Sequence, residues 1–342
     1  MEQKRKITLG ISVGDPNGIG IELVLKAFED KRIFDFFTPV VYAQSQTLNF
    51  QRKQLGLKTP FVTLKNEAKK SKTQLNVIEL GLPQFKTEFG QPNKESGAYA
   101  LKSLTTATQA LKSGAIDALV TAPIDKYNIQ SEAFSFPGHT DYLAKTLGGT
   151  SLMLMVADQL RVGLLTDHIP VKNIAQTITG DLIESKVKLM EESLKLDFGI
   201  PKPKIALLGI NPHSGDNGVI GNEDDEVLRP KIKELKEKGK LVYGPYAADG
   251  FFGAQQQQHF DGILASYHDQ GLTPFKTLAF GKGVNFTAGL SKVRTSPDHG
   301  TAFDIAGKGI AEISSFEEAL FLARQIFFER SETQAILEKK ND

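Results

Sequence analysis

A chain of 342 residues is longer than one ordinary hydrophobic core serves, so two domains are expected. Its composition is that of a globular protein, and a net charge of +1 without a long run of one sign argues against a dedicated nucleic-acid surface. The absence of cysteine excludes disulfides and thiolate nucleophiles, so any metal must be held by His, Asp, Glu or water. The basic stretches 69–72 and 231–240 are interleaved with polar or acidic residues and read as solvated faces. No apolar run approaches a membrane span, and MEQKRKITLGISVG lacks the features of a signal peptide, so a cytoplasmic location with no membrane partner is expected.

In chain order, ITLGISVG reads as a buried strand, and IGIELVLKAFED has apolar residues at helical spacing. TPVVYA is a strand, 45–55 a helix, 96–111 a helix rich in Ala and Leu, and AIDALVTAP a strand closed by a proline turn. SLMLMVA and RVGLLTDHI are separated only by Asp158-Gln159-Leu160 and predict an antiparallel hairpin. Further strands are expected at KIALLGIN, LVYGPYA, GILASYHD and VNFTAGL, and helices around 181–196, 224–239, 249–259, 301–312 and 316–338. Repeated alternation of strand and helix means an α/β fold with a mainly parallel sheet covered on both faces.

Ligands of such sheets bind beyond the carboxyl ends of the strands. Gly14-Asp15-Pro16-Asn17-Gly18, Thr121-Ala122-Pro123, Asp167-His168, the stretch Asn211 to Asp216, and His268-Asp269 all follow apolar runs. Three of the six histidines, His168, His213 and His268, therefore stand at strand ends. Three imidazoles suit zinc or another divalent transition metal, with Asp167, Asp216 and Asp269 as acceptors that fix the ring tautomers. The alternative is structural histidines beside carboxylates that cap helices. His139 and Thr140 follow Pro-Gly at a helix start, which favours an anion such as phosphate or carboxylate; a Thr140 helix cap is the other reading. His259 ends a polar helix and receives no role. Lys276, Lys282, Asn285, Lys292 and Arg294 suit a phosphorylated or carboxylated substrate, against ordinary surface basicity. No GxGxxG or GxxxxGK[ST] occurs, and GDPNGIG, though glycine-rich after a strand, has the wrong spacing for the Rossmann fingerprint.

The segment SPDHGTAFDIAGKG, residues 296–309, resembles the HGTAPDIAGKG stretch of the isocitrate and isopropylmalate dehydrogenase superfamily, with Phe303 where proline is common. GDPNGIGIE, VTAPIDK, PGHTDYLA, INPHSGDNGVIGNED, GPYAADGFF, YHDQGLTPFK and VNFTAGLSKVRTSPDHGTAFDIAGKG together resemble the 4-hydroxythreonine-4-phosphate dehydrogenase family of pyridoxal phosphate synthesis, from Gly14 to Gly309. The resemblance implies two α/β/α lobes with mainly parallel sheets and an active-site cleft between them. Residues 1–125 and 272–342 would form the lobe with the cofactor segment. Residues 126–271 would carry the metal ligands and the dimer contact, for which the hairpin at 151–168 is the expected material. The resemblance assigns the metal to His168, His213 and His268, shared between the subunits of a homodimer. It assigns the substrate to His139, Thr140, Lys276, Asn285 and Arg294, and NAD or NADP to Asp298, His299, Gly300, Thr301 and Asp304.

The implied activity is oxidation of the carbon-3 hydroxyl of 4-phosphooxy-threonine, followed by decarboxylation. Asp249 is the first choice for the proton acceptor and Lys276 the second. Three histidines with open positions accept zinc, cobalt, nickel or iron, and manganese or magnesium when abundant. The competing expectations are a paralogue acting on threonate or erythronate 4-phosphate, a non-catalytic metal- or phosphate-binding module, and a metal-dependent hydrolase. The last leaves the cofactor segment unexplained.

Overall fold

The computed structural model describes residues 5–64 and 69–341. The first apolar run forms β1 (Ile7–Ser12), followed by α1 (Gly20–Ala27), β2 (Phe37–Tyr42), α2 (Ser45–Gln54), β3 (Phe61–Leu64) and β4 (Leu75–Ile78). Then come α3 (Lys94–Ser113), β5 (Ala118–Thr121), α4 (His139–Leu147), β6 (Gly149–Ala157) and β7 (Leu160–Leu164). After the short α5 (Ile174–Thr177), the chain continues through α6 (Gly180–Leu196), β8 (Ile205–Leu208), α7 (Arg229–Glu237), β9 (Val242–Tyr246) and α8 (Ala248–Gly253). It ends with β10 (Gly262–Ala265), α9 (His268–Leu278), β11 (Val284–Leu290), β12 (Val293–Pro297) and α10 (Ser314–Asn341).

Two compact units result, Met1–Gly149 with Leu290–Phe327, and Thr150–Gly289 with Phe328–Asp342. In the first the strand order is β3-β4-β2-β1-β5-β12, and every pairing is parallel. Such strands are covered on both faces, so β5 is buried at every position and β1 at all but one. α3 is bounded by chemistry the sequence carries: Asn93 and Ser96 form a reciprocal capping box, and Gly114 stops the helix at φ 78°.

The second unit orders its strands β11-β6-β7-β10-β8-β9. The hairpin expected from Asp158-Gln159 is present as the antiparallel β6–β7 pair, whereas β7, β10, β8 and β9 run parallel. Met153, Met155, Val162, Leu164, Ile263, Leu272 and Phe275 share its core.

The units differ in extent from the lobes drawn at 125 and 271, and packing explains why. α4 stays in the first unit because Tyr142 joins Phe134 and Phe136 in an aromatic cluster there. α9 belongs to the second because Leu272 and Phe275 insert into its core. The helix expected at 301–312 is instead a series of turns, with i to i+3 bonds from Ile305 to Ala302 and from Lys308 to Ile305. Ala302, Gly307 and Gly309 all take positive φ, which interrupts helical hydrogen bonding. Residues 249–259 split into α8 and a separate 3₁₀ turn at Gln256–His259. The first turn of the helix expected at 224–239 is a π-helix over Asp224–Leu228.

Candidate active site

In the first unit, parallel register delivers a cation to a strand end. Arg294 on β12 pairs with Leu119 on β5, and Leu119 and Thr121 share a face because strand side chains alternate. The Arg294 side chain therefore reaches forward to Thr121, whose Oγ1 accepts from Nε at 3.0 Å and from Nη2 at 2.6 Å. Arg294 is only 2% exposed, and burial pulls its guanidinium down to about 9, still cationic at neutral pH. Thr121 orients the charge without neutralising it.

His139 opens α4 after Gly138, and no side chain caps this helix start, so the Thr140 cap is not formed. The residue is half-buried, but its Nε2 is shielded from solvent and has no hydrogen-bond partner. Burial first, then the charges of Arg294 and Lys126, push its imidazole well below the ordinary histidine range. Two cations, a shielded imidazole nitrogen and the uncapped amides of a helix start together favour an anionic group. Because the native state binds fewer protons here than the unfolded chain, His139 draws stability down as the pH falls through about 6.5. In the free protein its ring is expected to remain neutral at about pH 6. Inorganic phosphate, by offsetting Arg294 and Lys126, should move that titration upward. Imidazole NMR checks this, and an ordinary titration indifferent to phosphate counts against an anion site.

The segment 298–309 packs on the GDPNGIG loop. Ile19 donates its amide to the Thr301 carbonyl at 3.1 Å, and a side chain at Gly18 would start 2.7 Å from that oxygen. Asn17 ties the same loop to residues 88–91: its Nδ2 donates to the Gln91 carbonyl, and its Oδ1 accepts from the Glu88 amide. Asp15 is buried beneath, accepting from the Asn17 amide and the Ser96 hydroxyl, and burial raises its carboxyl. Of the residues assigned to the cofactor, Gly300 and Asp304 are exposed, and Asp298, His299 and Thr301 half-buried.

In the second unit, two histidines meet. The β7–β10 pairing continues past both strands through Leu165 N to Ala265 O (2.8 Å) and Thr166 Oγ1 to Ser266 O (2.7 Å). That brings the chain after Thr166 alongside the chain after Ser266, and the rings of His168 and His268 lie 5.6 Å apart between centres, tilted by 43°. His268 Nδ1 lies 2.7 Å from Asp269 Oδ1, which leaves Nε2 as the ring's other ligating position. Two imidazoles sharing a four-coordinate divalent ion, with metal–nitrogen bonds of about 2.0–2.1 Å, have ring centres roughly 5–5.5 Å apart. The pair fits such an ion.

Among the described residues, however, no three His, Asp or Glu side chains converge as a metal site. His213 stands exposed in the loop after β8, with φ 53°, in a run of left-handed residues that includes Ser214, Asp216 and Asn217. The buried Asp224 carboxylate anchors this loop by accepting from the amides of Ile210 (2.9 Å) and Asn211 (3.0 Å).

Lys276 lies on the exposed side of α9, the helix that His268 begins, and Asp249 is exposed in the first turn of α8. Asn285 is the second residue of β11, half-buried, with Oδ1 shielded and without a partner. Sequence reasoning assigned no role to Thr121, Lys126 or Asn17. The signal for two of them was present, since Asn17 and Thr121 lie in the strand-end stretches Gly14–Gly18 and Thr121–Pro123. No described helix is long and apolar enough to cross a membrane.

Residues 35–323 match the family model described as pyridoxal phosphate biosynthetic protein PdxA. A 4-hydroxythreonine-4-phosphate dehydrogenase from Bacteroides thetaiotaomicron is 47% identical over 335 residues, covering 97% of this chain and 92% of that protein. One from Sulfurihydrogenibium is 42% identical over 322 residues, covering 93% and 97% respectively. The crystal structure of the Klebsiella pneumoniae 4-hydroxythreonine-4-phosphate dehydrogenase matches with a TM-score of 0.82 at 33% identity, covering 94% of this chain and 98% of that one. With a buried arginine beside a shielded imidazole and likeness along nearly its whole length, the chain belongs to the PdxA family, the 4-hydroxythreonine-4-phosphate dehydrogenases of pyridoxal phosphate biosynthesis.

Proposed function

We propose that the chain transfers hydride from carbon 3 of 4-phosphooxy-L-threonine to NAD or NADP, releasing the hydroxyl proton. The resulting β-keto acid loses its carboxylate as carbon dioxide and gives 3-amino-2-oxopropyl phosphate. The observation that carries this reading is the buried, Thr121-held Arg294 beside the shielded His139, a site built for an anionic substrate group.

In this reading Arg294, His139 and Thr140 hold the phosphate or carboxylate, with Lys276 and Asn285 as further substrate contacts. Asp249 or Lys276 receives the hydroxyl proton. His168 and His268 would hold a divalent ion, and the ion's chemistry is to polarise the substrate hydroxyl and stabilise enolate charge. A second copy of the chain would supply His213 and make a homodimer, with the β6–β7 hairpin as contact material. Asp298, His299, Gly300, Thr301 and Asp304 would orient the dinucleotide.

The test is NADH absorbance with NAD and 4-phosphooxy-threonine, before and after chelation and metal re-addition, with threonate 4-phosphate in parallel. Chelator-sensitive turnover that prefers the amino substrate is expected. Preference for threonate 4-phosphate would assign the chain to the hydroxy acid, and silence with both would overturn the reading.

A further inference from the structure

α1 is an unusual place for a carboxylate. Seven of its eight residues are buried, and Glu22 is 1% exposed among Ile21, Leu23, Val24 and Leu25. A leucine would satisfy packing there, and a buried carboxylate costs several kcal/mol unless it is paired and hydrogen-bonded. Glu22 is both. Its Oε1 accepts from Lys26 Nζ one turn on (2.9 Å) and from the Ala311 amide (2.9 Å). Lys26 Nζ in turn donates to the carbonyls of Gly309 (2.8 Å) and Ala311 (2.9 Å).

All three bonds beyond the pair end on main chain at the close of the 298–311 turns, a stretch with no helical or strand ladder of its own. The other end of that stretch is held by Ile19, immediately before α1, through the Thr301 carbonyl. One short helix thus fixes both ends of the segment. A turn sequence lacking a ladder keeps a defined shape only when such outside bonds hold it.

We infer that Glu22 and Lys26 are positioning residues for the dinucleotide: by clamping Gly309 and Ala311 to α1 they hold the 298–309 segment in its binding shape. The inference rests on the reading of that segment as the cofactor site. A role confined to fold stability would lower the melting temperature and leave the two substrates' affinities in proportion. Pre-organisation of the segment acts on the dinucleotide selectively.

The test variants are Lys26→Met, which keeps the stem and removes the ammonium that donates to the Gly309 and Ala311 carbonyls, and Lys26→Arg, which restores a cation. Glu22→Gln keeps an acceptor for Ala311 and serves if the methionine variant folds poorly. Three readouts are taken: hydrogen–deuterium exchange across 301–311, direct NAD binding by calorimetry, and KM for each substrate. The expected result for Lys26→Met is faster exchange in 301–311 and an NAD affinity weakened roughly tenfold, about 1.4 kcal/mol. The KM for the phosphorylated substrate and kcat should stay within about twofold, and Lys26→Arg should recover most of the loss. Unchanged exchange would overturn the clamp itself. Faster exchange with unchanged NAD binding would overturn the assignment of the segment to the cofactor, and with it the inference, while leaving the clamp as a structural fact.

Discussion

Arg294→Met is expected to fold and to lose roughly 10²- to 10³-fold in kcat/KM for 4-phosphooxy-threonine, the usual consequence of removing one partner from a desolvated charge pair. The size of the effect follows from where the charge sits. A surface arginine is screened and replaceable, whereas Arg294 is 2% exposed and fixed by two bonds to one hydroxyl. Its partner Thr121 is a neutral hydroxyl, which orients the guanidinium without cancelling its charge. Methionine fills similar space without the charge, and the stranded Thr121 hydroxyl costs only about 1–3 kcal/mol of stability. Arg294→Lys should recover part of the activity, since an ammonium restores charge but not the planar fork. Steady-state kinetics, phosphate affinity and thermal unfolding measured together decide the matter. Near-normal phosphate affinity in the methionine variant would show that the anion binds elsewhere.

On the proposed metal reading, His268→Ala is expected to abolish metal retention and to reduce turnover at least 10³-fold, with folding preserved. The side chain is 39% exposed, so its loss opens onto solvent. Asp269→Asn should be milder, weakening metal affinity about 10- to 100-fold by disturbing the bond that orients the imidazole. Elemental analysis after dialysis separates these effects from unfolding.

One chain brings together His168 and His268 but not His213, which makes subunit exchange informative. In the proposed homodimer with a shared site, mixing His213→Ala with His268→Ala should restore roughly a quarter of wild-type activity, because random reassortment would leave half the dimers with one intact site of two. No recovery under conditions that exchange subunits would mean that the histidines act within a single chain.

The elements the sequence alone determined are those whose signal is local. β1, β5 and β10 are short apolar runs between turn residues, α3 carries its own cap and stop, and the β6–β7 hairpin is written in a two-residue polar break. The histidines and the carboxylates that follow apolar runs were also readable, because a parallel sheet places its chemistry at strand ends.

Tertiary structure decided what depends on register and on distant partners. Pro274 and the polar start at His268-Asp269-Gln270 hide α9 in the sequence, yet its apolar residues Leu272 and Phe275 fill the second unit's core and hold the helix together. Residues 301–312 have a plausible helical pattern, but positive φ at Ala302, Gly307 and Gly309, with outside bonds from Ile19, Glu22 and Lys26, makes them turns. No spacing rule connects Thr121 with Arg294 or Glu22 with Ala311, which lie 173 and 289 residues apart. Those contacts exist because parallel strands and a buried helix bring remote stretches of chain into hydrogen-bonding distance, and a buried charge must find its partner there.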